Sequence, residues 1–154
     1  RIGVVHGENY EKFCQNYLDI KPYVDKISFS FEEFFILWGS QSNQTLAEVR
    51  VDILRCMLED DIIDTSFPHH ILGALSPTEY KQYVNYEWIE SADTSNPIVQ
   101  GLTRGKYSGE FGATEKSSVK LADIYYDKVS DKSKKRVIFN VNWFRRVNKL
   151  ERED

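Results

Sequence analysis

Four short runs rich in β-branched and aromatic residues recur between residues 2 and 92, and the segments between them carry helical spacing. They are residues 2–5 (Ile2-Gly3-Val4-Val5), 24–31, 69–75 and 88–92. Few architectures accommodate this alternation. Strands that alternate with helices pair in parallel, because a parallel pair needs a crossover of a dozen or more residues. The runs lack strict in–out alternation, which fits strands covered on both faces. The predicted order is β-α-β-α-β-α-β, so the fold class is α/β. Two frames fit it, a small doubly wound sheet or part of a (β/α)8 barrel. A complete barrel takes ~250 residues, so a chain of 154 residues holds about half of one.

The intervening segments carry their own signals. Residues 8–19 place Tyr10, Phe13, Cys14, Tyr17 and Leu18 on one stripe, which predicts an amphipathic helix. Residues 31–38 are apolar and fit either a short helix or a packed loop. Thr45 and Glu48 form a capping box, and Leu46, Val49, Ile53 and Met57 follow on one face, so a helix is expected to about residue 59. Ser76-Pro77-Thr78-Glu79 is a second capping box with proline at the first helical position, opening a short helix to about residue 85. Residues 98–112 hold four glycines too widely spaced for a phosphate-binding fingerprint and read as a long loop. A helix over 117–129, a charged break over 131–136 and a last helix over 137–150 complete the chain, the last with Val137, Ile138, Val141, Phe144 and Val147 inward. No internal repeat is visible beyond the β-α alternation.

Composition excludes several classes. Hydrophobic residues make up 41% and charged residues 29%, outside the range of disordered chains. No apolar run approaches the ~20 residues of a bilayer span, so no membrane partner and a cytoplasmic setting are expected, the host cytoplasm if the source is viral. Cys14 and Cys56 are far apart without Cys-x-x-Cys spacing, which points to free thiols and no zinc site. The net charge of −4 is unevenly spread. Residues 1–103 carry a balance of −9 and residues 104–154 one of +5, so the last third could meet a polyanion or simply present solvated helix faces. The chain opens with Arg1 rather than Met, which reads as a processed, trimmed or partial chain.

In a parallel sheet, reactive groups gather at the C-terminal strand ends. That rule selects His6, Ser28, Ser30, Ser76 and Asp93. His6 and Asp93 form the best pair, the carboxylate as nucleophile or base and the imidazole as proton carrier, base reader or metal ligand. Asp93 in Asp93-Thr94-Ser95-Asn96 could also do no more than build a turn. His69 and His70 open their run and are assigned to the opposite rim with a structural role. Asp60, Asp61 and Asp64 fall in a helix-to-strand connection and read as solvated.

Four strand ends carry local wording beyond this rule. The chain has Val5-His6-Gly7, then Ile27-Ser28-Phe29-Ser30. It continues with Leu72-Gly73-Ala74-Leu75-Ser76-Pro77-Thr78-Glu79 and ends with Ser91-Ala92-Asp93-Thr94-Ser95-Asn96-Pro97. In order and wording these resemble the tRNA-guanine transglycosylase family, over residues 2–105. That family shows Val-Gln-Gly at the first place, Gly-Gly-Leu at the second, an apolar strand with Met-Gly and Thr-Pro-x-Asp at the third, and the nucleophilic Asp followed by Pro at the fourth.

The resemblance implies the C-terminal half of a (β/α)8 barrel over residues 1–105, with residues 106–154 a basic helical extension packed on the same domain. It implies Asp93 as the nucleophile at C1′ of a guanine nucleotide and a 7-deazaguanine as the incoming base. His6, Ser28, Phe29, Ser30 and Gly73 would line the base site. The family's zinc ligands, three cysteines and a histidine, are absent, so the pattern looks more like the zinc-free DNA 7-deazaguanine transglycosylases, with no cofactor and DNA a better substrate than tRNA. Arg104, Lys106, Arg145 and Arg146 would then contact phosphates of the DNA or RNA. The family's second carboxylate would lie upstream of Arg1, so a missing N-terminal half-barrel or a partner chain is expected to complete the site. Two rival readings remain, a small-substrate hydrolase using Asp93 and His6, and a non-catalytic binding subunit built on the same scaffold.

Overall fold

In the computed structural model all four runs become strands of one parallel sheet in the order β1-β2-β3-β4. They are β1 (Ile2–Val5), β2 (Lys26–Phe29), β3 (His69–Ile71) and β4 (Ile89–Ala92). The structure describes residues 1–42, 46–74, 76–103, 105–107 and 129–147. Sequence neighbours are spatial neighbours throughout, so the sheet lacks the reversal of strand order that defines a doubly wound fold. Six helices accompany the sheet among the described residues: α1 (Tyr10–Ile20), α2 (Glu33–Ser42), α3 (Leu46–Glu59), α4 (Pro77–Gln82), α5 (Asn96–Thr103) and α6 (Asp131–Val147). None of the helices among the described residues is long and apolar enough to cross a membrane.

The chain divides into two compact units. The first comprises Arg1–Gly73 and Gln82–Asp93, hence the whole sheet with α1, α2 and α3. Helix α1 starts where Asn9 accepts from the Lys12 amide at 2.9 Å, and it buries Phe13, Cys14 and Tyr17. Tyr17, Phe29 and His69 lie nearly parallel, with ring centroids 5.3–5.9 Å apart. Trp88 meets both Phe29 and His69 edge-on. The ambiguous apolar segment is a helix, α2, whose Phe34 and Phe35 pack edge-on against Phe13.

His69 belongs to this core. It has no exposed surface, and its Nε2 lies 3.1 Å from the Tyr17 hydroxyl. Burial holds its pKa down at about 4, so it is neutral in the native state. The unfolded chain takes up a proton near pH 6.5, before the folded protein does, so stability must fall as pH drops from 6.5 toward 4 and level off below. The expected loss is at most about 3 kcal/mol. Urea unfolding of the wild type and of His69→Phe across pH 4–7 measures it. A slope that survives in the variant would assign the effect to other groups.

The second unit comprises Ala74–Lys81 and the described residues from Thr94 on. Ser76 caps α4 as the box predicts, its Oγ accepting from the Glu79 amide at 3.2 Å. Residues 98–103, the start of the loop expected over 98–112, belong to helix α5, which begins at Asn96. Thr94 Oγ1 accepts from the Asn96 amide, Ser95 O accepts from the amides of Ile98 and Val99, and Pro97 sits in the first turn where its missing N–H costs nothing. The charged break at 131–136 is the first part of α6, capped by Ser130, whose Oγ accepts from the Ser133 amide at 3.2 Å. Its lysines are good helix formers on an exposed face. Ile138, assigned inward, is 60% exposed, and Asn140 points inward in its place. Asn140 accepts from the Tyr107 amide and donates to the carbonyls of Pro97 and Gly105. Tyr107, Trp143 and Phe144 are the buried cluster of this unit, with Tyr80 against it. The helix expected over 117–129 falls outside the described residues, save Val129, which stands in no helix or strand.

Gly101 lets α5 and α6 touch. A Cβ there would stand 2.7 Å from the backbone N and Cα of Val137. Gly101→Ala is therefore expected to destabilise by about 1–3 kcal/mol through overpacking, read as a lowered midpoint in chemical denaturation. An unshifted midpoint would mean that the helices separate without cost.

Candidate active site

The run expected to be a strand over 69–75 stops at Ile71. Leu72 and Gly73 turn, with Gly73 at φ +63, a conformation that favours glycine. The early stop places His70 one residue from the C-terminal end of β3, not on the opposite rim. A register shift at His69/His70 pairs His69 with Ile89 and His70 with Ser91, so Glu90 is passed over. Register then puts Val4, Ser28, His70 and Ser91 side by side on one face.

Asp93 follows β4 and is 58% exposed. Its amide donates to Ile71 O at 3.2 Å. Its Oδ1 accepts from the Gly73 amide at 2.9 Å and lies 3.0 Å from His70 Nε2. His70 Nδ1 lies 2.9 Å from Ser91 Oγ. The three side chains form one relay, Ser91–His70–Asp93. With the Ser91 hydroxyl donating to Nδ1, Nε2 carries the proton that His70 donates to Asp93. Both hydrogen bonds fall on Oδ1, and Oδ2 makes none among the described residues. The carboxylate is held by two donors with one oxygen open, the arrangement a nucleophile or general base requires.

Arg50 of α3 supports this corner. It has no exposed surface, and its guanidinium donates to the carbonyls of Phe29, Leu72 and Gly73 at 2.7–3.3 Å. It ties the end of β2 to the turn that supplies the Gly73 amide. Sequence reading missed Arg50, since a charged residue beside an apolar helical stripe looks solvated. It missed His70 because the strand was drawn too long, and Ser91 because the register shift leaves no mark in the chain.

The predicted His6–Asp93 pair is not formed. The two follow the opposite edge strands β1 and β4, about 14 Å apart at three strand spacings. His6 Nδ1 instead lies 2.9 Å from Glu32 Oε1, and the His6 amide donates to Asn16 Oδ1 at 2.9 Å. Ser28 is buried in β2. Phe29 is wholly buried in the aromatic stack of the core and offers no surface to a ligand. Ser30 is half-buried just past β2, and Gly73 serves as the amide donor to Asp93. Lys106 lies 4.6 Å from the centre of the Phe139 ring. Arg145 and Arg146 are exposed in the last turn of α6, and Arg104 lies outside the described residues. Asp64, read as solvated, is paired with Lys21 Nζ at 2.5 Å and accepts from Ser66, which holds its carboxyl well below the usual range.

Among the described residues no group of three or more His, Cys, Asp or Glu side chains could hold a metal ion. No known protein family, curated protein or solved structure matches this chain.

Proposed function

We propose that the protein is a base-exchange glycosyltransferase acting on guanine in a nucleic acid, DNA before tRNA, with Asp93 as nucleophile. The observation that carries this reading is the Asp93 carboxylate at the C-terminal end of a parallel strand, with Oδ1 held by Gly73 and His70 and Oδ2 open. Attack of Oδ2 on C1′ forms a C–O bond and breaks the bond from C1′ to the guanine nitrogen. The guanine takes up a proton as it leaves, the ring N–H of a 7-deazaguanine gives one up as its nitrogen attacks C1′, and Asp93 leaves as a carboxylate. Two displacements at one carbon retain its configuration, as in retaining glycosidases. Consecutive strand order fits half of a (β/α)8 barrel, which a further half-barrel, from the same protein or a partner, would close.

The test is a trapped adduct. The protein is incubated with guanine-containing DNA or RNA and a 7-deazaguanine, and the modified peptide is mapped by mass spectrometry. An adduct on Asp93 supports the reading, and one on any other residue ends it. The exposed Arg145 and Arg146 suit phosphate contacts. Reversing both charges is expected to weaken DNA binding and flatten its salt dependence, and unchanged binding would remove α6 from the interface.

The Ser91–His70–Asp93 relay favours one rival, hydrolysis of a small substrate, with His70 in the role first given to His6. Water then takes the place of the incoming base, and release of free sugar without base incorporation distinguishes it.

A further inference from the structure

A cleft of about 850 Å³ opens in the first unit beside His6, within the 300–1,000 Å³ usual for small-molecule sites. His6, Glu8, Glu32 and Glu33 supply its polar lining, and Phe34, Ile36 and Leu37 its apolar side. Ile36 and Leu37 are 50% and 66% exposed, an unusual position for two large aliphatic side chains adjacent in one helix. Gly7 and Lys12 complete the wall. Three carboxylates therefore face one ammonium and a histidine.

The polar end is preset. The His6 amide is bonded to Asn16. Gly7 packs so closely that a Cβ would stand 2.5 Å from the Phe13 amide nitrogen, so the turn after β1 has one arrangement. Glu32, only 16% exposed, takes the His6 Nδ1–H at 2.9 Å. That bond fixes the tautomer in which Nε2 accepts. The lining thus offers carboxylate oxygens and an imidazole acceptor at one end and aliphatic and aromatic carbon at the other. A ligand that complements it is rich in N–H donors, positively charged and apolar in its body.

We propose that this cleft is a binding site for an organic cation, an amine or guanidinium carried on an apolar body, anchored by the His6–Glu32 pair. It is separate from Asp93, which follows the opposite edge of the sheet, and it does not depend on the transfer reaction. The ammonium lies among Glu8, Glu32 and Glu33, and the body lies on Ile36 and Leu37. The three carboxylates outnumber the Lys12 ammonium and disfavour anionic ligands of the same shape.

The probes are 4-phenylbutylamine, its neutral isostere 4-phenylbutanol and the anion 4-phenylbutanoate, titrated into the full chain and followed by amide shifts in two-dimensional NMR. The amine is expected to shift Gly7, Glu33 and Leu37 and to bind at least about tenfold tighter than the alcohol, with the acid not binding. Glu32→Gln should cost about tenfold in amine affinity. Leu37→Lys, at an exposed position that folding does not need, should cost as much or more by charge repulsion and lost apolar contact. Asp93→Asn should leave amine binding unchanged, which separates this site from the proposed reaction. Equal affinity for amine and alcohol, shifts confined to other residues, or amine binding that survives both cleft variants would each overturn the proposal.

Discussion

Asp93→Asn is expected to abolish the proposed glycosyl transfer, by on the order of 10⁴-fold or more, while leaving the fold intact. The two halves of that expectation have different origins. Asparagine keeps a side-chain oxygen at the place of Oδ1, so it still accepts from the Gly73 amide and from His70. The side chain is also more than half exposed, and no packing is lost. The urea midpoint should therefore move by less than about 0.5 kcal/mol, as for surface changes away from structural features. What disappears is the open oxygen, replaced by an amide nitrogen with no lone pair to give to C1′. The assay is base incorporation together with adduct mapping. Retained transfer with an unmoved midpoint would return Asp93 to the role of a turn residue. His70→Leu provides a graded control, since it removes one of the two donors that orient Oδ1 and leaves the nucleophile in place.

Arg50→Met is expected to have the largest effect on stability, a loss of about 2–5 kcal/mol. Methionine fills much of the volume but cannot donate, so the carbonyls of Leu72 and Gly73 lose their donor, while Phe29 O keeps the Leu72 amide at 3.0 Å. Each buried carbonyl left unpaired costs about 1–3 kcal/mol. Arg50→Lys should recover only part, because an ammonium carries the charge without the planar fork that spans three acceptors. The same substitution bears on the site. The Gly73 carbonyl is bound by Arg50 and its amide by Asp93, so loosening this turn frees the carboxylate to rotate. Denaturation of Arg50→Met measures the first effect. Transfer at low temperature, where the variant stays folded, measures the second. A midpoint within 1 kcal/mol of the wild type would show that water replaces the guanidinium at little cost.

Much of the first unit was legible because its signals are local. The four runs become four parallel strands, and the spacing of Phe13, Cys14 and Tyr17 becomes the buried face of α1. In the second unit the Ser76 box caps α4 as its spacing predicts. The misreadings occur where local signals compete. Ser95-Asn96-Pro97 resembles a loop and also a helix start, and the cap bond from the Asn96 amide to Thr94 decides for the helix. The charges at 131–136 resemble a break, but a solvated helix face carries the same composition once Ser130 caps it. His69-His70-Ile71-Leu72-Gly73-Ala74 has the apolar content of a longer strand, and only the positive φ at Gly73 ends it at Ile71.

The sequence by itself determined the parallel α/β class and the position of Asp93 at a strand end, because both follow from periodicity and from residues within a few places of one another. The tertiary structure alone decided which partner Asp93 has. Strand order sends His6 to the far edge, and the shift at His69/His70 aligns His70 with Ser91, two residues before Asp93. Pairing across strands depends on register and on where each strand stops. A single residue of either moves a side chain to the other face, and no local pattern in the chain records it.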